Sequence, residues 1–250
     1  MAHSQSRNDI LTATVSKIEK LNPETVCVQL SCPEIVHYKA GQYLRIFIEG
    51  HTARSYSLAS APSVDKTLHL HVRRSAGGAV SRWFHEELAV GDALHISRPQ
   101  GYCYYQPANL DRPMLMIGTG SGLAPLYGMA RDALRHGHRG DIHLYHGVRQ
   151  REELFLVEQL QALARLNPNF RYVPCLSRGD VSEGCLSGRA LNIALRDTNL
   201  SAEWCVYLSG NPDMVNDAYQ AVSAAGVAAA AILSDQLAVN AGTDFYARVA

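Results

Sequence analysis

The sequence has no excess of charge of either sign: 23 lysines and arginines balance 23 aspartates and glutamates in 250 residues. Without a net positive field, bulk electrostatics does not draw the chain onto nucleic acid or an anionic membrane. An anionic ligand must therefore be held by local chemistry. Long apolar runs are lacking as well: no stretch approaches the roughly 18 residues of a spanning helix, and residues 1–8 are polar, with no signal-peptide core. These absences predict a soluble cytoplasmic protein with no nucleic-acid or membrane partner. Thiols are too few and too scattered for a cysteine-built centre. Cys27 and Cys32 reproduce the first C-x4-C step of a plant-type iron–sulfur loop, but the position of the next ligand is Ile35. An iron–sulfur acceptor would have to sit on another protein. Together with Cys103, Cys175, Cys185 and Cys205, these thiols lie mostly in apolar strand-like runs and read as core residues rather than a disulfide framework.

What is present divides into two rhythms. As far as about residue 105 the chain shows short alternating runs, LTATVSKI, TVCVQL, QYLRIFI, LHLHV and ALHIS, punctuated by Asn22-Pro23, Gly50, Ala61-Pro62 and Gly91-Asp92. That spacing predicts an antiparallel β-barrel or sandwich, interrupted by one helical stretch at 81–88. Beyond Asp111-Arg112-Pro113 the apolar runs MLMIG, DIHLYHGV, FRYVPCL, WCVYLSG and AAAIL alternate with helical patterns near 124–136, 152–166, 187–196 and 212–225. Alternation of this kind predicts a five-stranded parallel sheet in an α/β domain, with its ligand at the carboxyl ends of the strands. The expected organisation is a barrel domain at 9–106, an α/β domain at 111–237 and a C-terminal tail at 238–250.

The strongest local signal is GTGSGLAP, in which Gly118, Thr119, Gly120, Ser121 and Gly122 follow the strand MLMI and open a helix. Glycines let the backbone approach a diphosphate closely, and the free N–H groups of a helix start supply partial positive charge. Pro125 suits the first helical turn, where its missing N–H leaves nothing unpaired. The spacing is G-x-G-x-G rather than G-x-G-x-x-G, and no acidic residue ends the second strand, so the ordinary dinucleotide fingerprint is not met. A tight strand-to-helix turn without a ligand is the plain alternative.

The first half contributes RSYS at Arg54, Ser55, Tyr56 and Ser57, then HVRR at 71–74, then GGAVS at 77–81. With GTGSGLAP and LSGNPDMV at 208–215, this order of motifs resembles the ferredoxin–NADP reductase superfamily from about residue 10 to 237. Its short flavin reductases and oxygenase-reductase modules, which lack a fused 2Fe-2S domain, are the most similar. The resemblance implies FAD in the barrel and NADH or NADPH in the second domain. It implies that Arg54 binds the FAD diphosphate, that Ser55 flanks it, that Tyr56 lies against the isoalloxazine, and that Ser57 offers its hydroxyl near flavin N5. Main-chain groups of His71, Val72 and Arg73 would line the flavin. Gly77, Gly78, Ala79, Val80 and Ser81 would complete the diphosphate site at a helix start, where Ser81 can cap the helix.

In the second half the same resemblance implies that the glycines of 118–122 face the nicotinamide dinucleotide and that Thr119 approaches the flavin. Gly210, Asn211, Pro212 and Met214 match the family's C-G-x-x-M loop, where the nicotinamide enters, with Ser209 in place of the cysteine. Arg149, Ser177 and Arg178 follow the second and third parallel strands, where a 2′-phosphate could dock or where charge could simply be solvated. Many members place an aromatic over the flavin after the last strand; here Leu237 stands there, and Phe245 or Tyr246 of the tail could fold back instead. His69 and His71 share one strand face, expected to be solvated rather than metal-binding, and His136 and His138 flank Gly137 as helix C-cap chemistry. The implied function is hydride transfer from NAD(P)H to FAD and onward electron transfer to a ferredoxin or oxygenase component. A flavin reductase using flavin as substrate, and a nucleotide-binding subunit without turnover, are the alternatives.

Overall fold

The computed structural model describes residues 10–178 and 184–237. Its first half holds strands β1 (Ile10–Asn22), β2 (Thr25–Ser31), β3 (Tyr43–Phe47), β4 (Arg54–Ser57), β5 (Leu68–Arg73) and β6 (Ala93–Ser97), with one helix, α1 (Ala79–Glu86). The sheet runs β4-β3-β6-β1-β2-β5, every neighbour antiparallel. Its two outer strands meet where Leu58 bridges Leu70 and the Ala59 N–H donates to the His69 carbonyl at 2.8 Å, which curls the sheet into a barrel. In β1, Leu11, Ala13 and Val15 point inward while their neighbours are exposed, the period of two that the alternating runs announce. Leu44, Ile46, Leu70 and Ile96 join them, and Phe84 of α1 packs into the same core.

The second half holds β7 (Met114–Thr119), β8 (Ile142–Val148), β9 (Phe170–Leu176), β10 (Leu186–Ser187), β11 (Cys205–Ser209) and β12 (Ile232–Leu233). Four helices cover it: α2 (Leu123–Arg135), α3 (Val157–Leu166), α4 (Ala190–Asp197) and α5 (Pro212–Ala224). All pairs are parallel, in the order β10-β9-β8-β7-β11-β12. The sheet has six strands where five were expected. The extra one, β10, is two residues long and exposed, too short to leave any periodicity in the sequence. Separate apolar clusters fill the two faces, one under α4 and α5 and one under α2 and α3, as a doubly covered parallel sheet requires.

Helix α2 joins the halves. A side chain at Gly128 would press on the Ser60 carbonyl at 2.8 Å, so only glycine allows this close approach. Three residues on, Arg131 makes two hydrogen bonds to Asp65, at 2.7 and 2.9 Å, and Asp132 accepts from the Ser63 N–H and hydroxyl. Burial alone would raise the Asp65 carboxyl, but the Arg131 hydrogen bonds, the Ala61 N–H and the arginine charge together leave its pKa lowered. The contribution is therefore present above the unfolded-state value of about 3.9 and is lost as pH falls through the lower folded value. Arg131→Ala leaves a largely buried carboxylate unpaired and is expected to destabilise the domain junction by about 2 kcal/mol. Urea unfolding of the variant at pH 7 measures this, and an unchanged midpoint would refute it.

Two sequence-level readings of histidines have different outcomes. Helix α2 ends as expected at His136, Gly137 (φ +72°) and His138: the Gly137 and His138 N–H groups donate to Leu134 and Ala133, a Schellman pair. His71, by contrast, is not on a solvated face. It is 6% exposed and lies at the junction, its ring 5.5 Å from Phe155 and 6.3 Å from Tyr127 of α2. Burial pushes its pKa down to about 3, so it stays neutral. His69 is half-buried and bonds Thr67 at 2.9 Å. The alternation of β5 is legible in sequence, but the second domain that covers its outer face is not.

Candidate functional site

Strand order reverses at β7, whose neighbours β8 and β11 lie on opposite sides, so a crevice opens above their carboxyl ends. GTGSG leaves β7 there. Gly120 has φ +53° and begins a single 3₁₀ turn to Gly122 that feeds α2. A Cβ on Gly122 would overlap the Ser209 carbonyl, and one on Gly210 (φ +128°) would overlap Thr119. These glycines let two chain turns touch. The Thr119 hydroxyl accepts the Asn211 N–H at 2.8 Å, and Asn211 caps α5 by accepting from Asp213 and Met214, with Pro212 as the first helical residue.

A cleft of about 610 Å³ lies against this pair of turns, a size suited to a dinucleotide or one of its halves. Arg149, Ser177 and Arg178 line it with Gly120, Asn211 and Met214. Ser177 and Arg178 are tied to the neighbouring strand end: the Ser177 hydroxyl and N–H donate to the Val148 carbonyl, and the Arg178 N–H donates to Arg149. The start of α4 also opens here, with Arg189 and Ala190 on the wall. Sequence reasoning missed that wall; Ser187-Gly188 just before a helical run was the available signal.

On the barrel side, Arg54 and Ser55 are exposed, and Tyr56 and Ser57 half-buried, along β4. The Tyr56 ring sits edge-on to Phe84 of α1 at 5.2 Å, which brings RSYS beside the GGAVS helix. Burial pushes the Tyr56 hydroxyl up to about 12, so it remains a hydrogen-bond donor. Gly77 takes φ +74°, Gly78 is the helix N-cap, and no side chain caps α1, so its first N–H groups stay open to an anion. Ser81 is not a cap. It is the third helical residue; its hydroxyl donates back to the Gly78 carbonyl at 3.0 Å and accepts the Ser75 N–H at 3.1 Å, because the helix starts at Ala79 rather than at 81. Beyond the Leu58–Leu70 bridge, the side of β5 away from β2 has no strand paired to it among the described residues.

The structure brings the two sets of motifs together through Arg73. Its side chain bonds Glu24 at 2.8 Å and Glu153 at 3.4 Å and lines the cleft beside Gly120 and Ser121, so it faces the second domain. Ser209 ends β11 with its carbonyl against Gly122. Leu237 packs into the second-domain core, 8% exposed. Phe245 and Tyr246 lie outside the described residues. Asp235 and Gln236, just before Leu237, were not anticipated: Asp235 accepts the Tyr102 and Cys103 N–H groups at 2.8 and 3.1 Å, and Gln236 donates to the Gly210 carbonyl. No helix among the described residues is long and apolar enough to cross a membrane.

An antiparallel barrel with an open helix start, set against a parallel sheet with a glycine turn at its switch point, defines a two-domain dinucleotide oxidoreductase. Residues 12–105 match the family model of the oxidoreductase FAD-binding domain, and residues 116–220 that of the oxidoreductase NAD-binding domain. The reductase component of the naphthalene 1,2-dioxygenase/salicylate 5-hydroxylase systems of Ralstonia is 32% identical over 226 residues, 90% of this chain and 68% of that one. The reductase subunit of an aromatic O-demethylase from Amycolatopsis is 37% identical over 209 residues, 82% of this chain but only 62% of the longer relative. A crystal structure of an Amycolatopsis cytochrome P450 reductase superimposes with a TM-score of 0.84 at 34% identity, over 90% of this chain and 69% of that one. The chain belongs to the ferredoxin–NADP reductase superfamily, and FAD and NAD(P)H are the cofactors of its two domains.

Proposed function

We propose that the chain takes hydride from NADH or NADPH onto FAD and passes the electrons to a separate ferredoxin or oxygenase component in the cytoplasm. Bound FAD supplies the chemistry that accepts an electron pair and releases single electrons. The observation that carries the reading is the Thr119–Asn211 hydrogen bond, which joins the GTGSG turn to the nicotinamide-entry loop at the switch point. Arg54 and the open N–H groups of α1 hold the FAD diphosphate from two sides. Tyr56 supports the flavin ring, and Ser57 offers a hydrogen bond at its reactive edge. The turn at 118–122 holds the dinucleotide diphosphate, while Ser209 and the loop through Met214 orient the nicotinamide. The acceptor assignment is supported by the relatives, two of which are named as reductase parts of oxygenase or demethylase systems. Six free thiols, mostly buried, suit a reducing compartment.

Anaerobic mixing of the FAD-loaded protein with NADH or NADPH tests this directly. Bleaching of the flavin band, followed by reoxidation with a one-electron acceptor protein, is expected; an unbleached band would sink the reading. Loss of FAD on gel filtration would instead favour a flavin reductase that uses flavin as substrate. At the far end of the cleft, Arg178→Ala is expected to raise KM for NADPH about tenfold, the size of one charge-assisted bond, and KM for NADH less than threefold. Equal effects on both donors would remove Arg178 from 2′-phosphate recognition.

A further inference from the structure

His146 carries no role in the chemistry described so far, yet it is fully buried at 0% exposure on β8, one strand over from the glycine turn. Its register partner across the ladder is Gly118. Partners in register project to the same face; on that face a Cβ at Gly118 would press on Leu126 and the Gly122 backbone, so glycine lets the turn close down onto the strand. Its Nε2 lies 3.2 Å from the Gly120 carbonyl, and its Nδ1 lies 3.4 Å from the Tyr172 hydroxyl. A carbonyl can only accept, so Nε2 carries the proton and Nδ1 is the acceptor, which assigns both the tautomer and the donor role of Tyr172. Phe155 stands between this ring and the barrel: it meets His146 at 5.4 Å and His71 of β5 at 5.5 Å, both nearly perpendicular.

We infer that His146 is a positioning residue: its Nε2–H holds the carbonyl of left-handed Gly120 and thereby aims the N–H groups of the 118–122 turn at the dinucleotide diphosphate. Phe155 and His71 brace the ring from the barrel side, so the turn's shape depends on domain docking. Burial, only partly offset by the bond to Gly120, pushes the imidazole pKa down to about 4, which keeps one proton on the ring at neutral pH. The inference rests on the proposal that this turn grips NAD(P)H.

The test uses the FAD-loaded protein with NADH and NADPH as probes. His146→Leu keeps bulk and removes the donor; KM and Kd for both nucleotides are expected to rise about tenfold, near the worth of one hydrogen bond, with kcat within threefold and FAD content unchanged. His146→Gln places an amide N–H near the position of Nε2 and is expected to restore binding to within about threefold of wild type. A merely structural histidine would not show this split between KM and kcat or the rescue by glutamine. His146→Leu binding both nucleotides as tightly as wild type overturns this inference alone, whereas a wild-type protein that binds neither overturns the functional reading with it. Should the variants not fold, ¹⁵N-histidine NMR of the wild type decides: a proton on Nε2 is expected, and a proton on Nδ1 refutes the assignment.

Discussion

Gly210→Ala is expected to lower kcat/KM for NADH and NADPH by about 100-fold while leaving FAD bound. At φ +128° a side chain is strained in itself, and here the added methyl also overlaps Thr119. Backbone strain of about 1–3 kcal/mol and loss of the Thr119–Asn211 bond fall on the same loop, and about 2.7 kcal/mol corresponds to 100-fold. The loop can relieve the overlap only by moving away from the GTGSG turn, which opens the crevice where the nicotinamide must lie. The barrel does not feel this change, so the flavin spectrum should be that of the wild type. Stopped-flow reduction measures the effect; a rate within threefold of wild type would mean that contact between the two turns does not set the geometry of hydride transfer.

Arg54→Ala bears on the other dinucleotide. Arg54 is exposed on β4, the strand whose Tyr56 meets α1, and among the described residues it makes no salt bridge whose loss would unfold the barrel. One charge-assisted contact of about 1.5–3 kcal/mol predicts FAD binding weaker by roughly 10- to 100-fold, with little change in thermal midpoint for the apoprotein. FAD titration followed by fluorescence measures the first quantity and calorimetry the second. Full flavin occupancy in the variant would count against the diphosphate assignment, and a collapsed apoprotein would show that Arg54 serves the fold.

These two expectations differ in how far the sequence alone supports them. The RSYS and GTGSGLAP motifs are contiguous, so the residues and their glycines could be read from the chain. The consequence of Gly210→Ala could not, because it depends on Thr119, 91 positions earlier and brought opposite by the β7–β11 pairing. His71 shows the same limit in reverse. Its alternation with Leu70 and Val72 marked a strand face correctly, but Phe155 and Tyr127 of the other domain bury that face. β10 was missed because two residues carry no period. The Ser81 cap assignment missed the N-cap, Gly78, by three positions, and so exchanges a capping hydroxyl for one that bonds back along the helix.

By itself the sequence determined the two-domain plan and the chemistry: alternation of period two followed by strand–helix alternation, a chain of balanced charge whose anion sites must be built from glycine turns and single arginines, and no cysteine set for a cluster of its own. Those features are either sums over the chain, such as charge and cysteine count, or motifs and periods contained in short contiguous segments. Only the tertiary structure decided which distant groups meet: Arg131 with Asp65 across the domain junction, and, within the second domain, the Gln236 side chain with the Gly210 carbonyl and His146 with the Gly120 carbonyl. Each of these contacts joins segments at least 26 positions apart, and their pairing follows from strand order and domain docking, which no local pattern specifies.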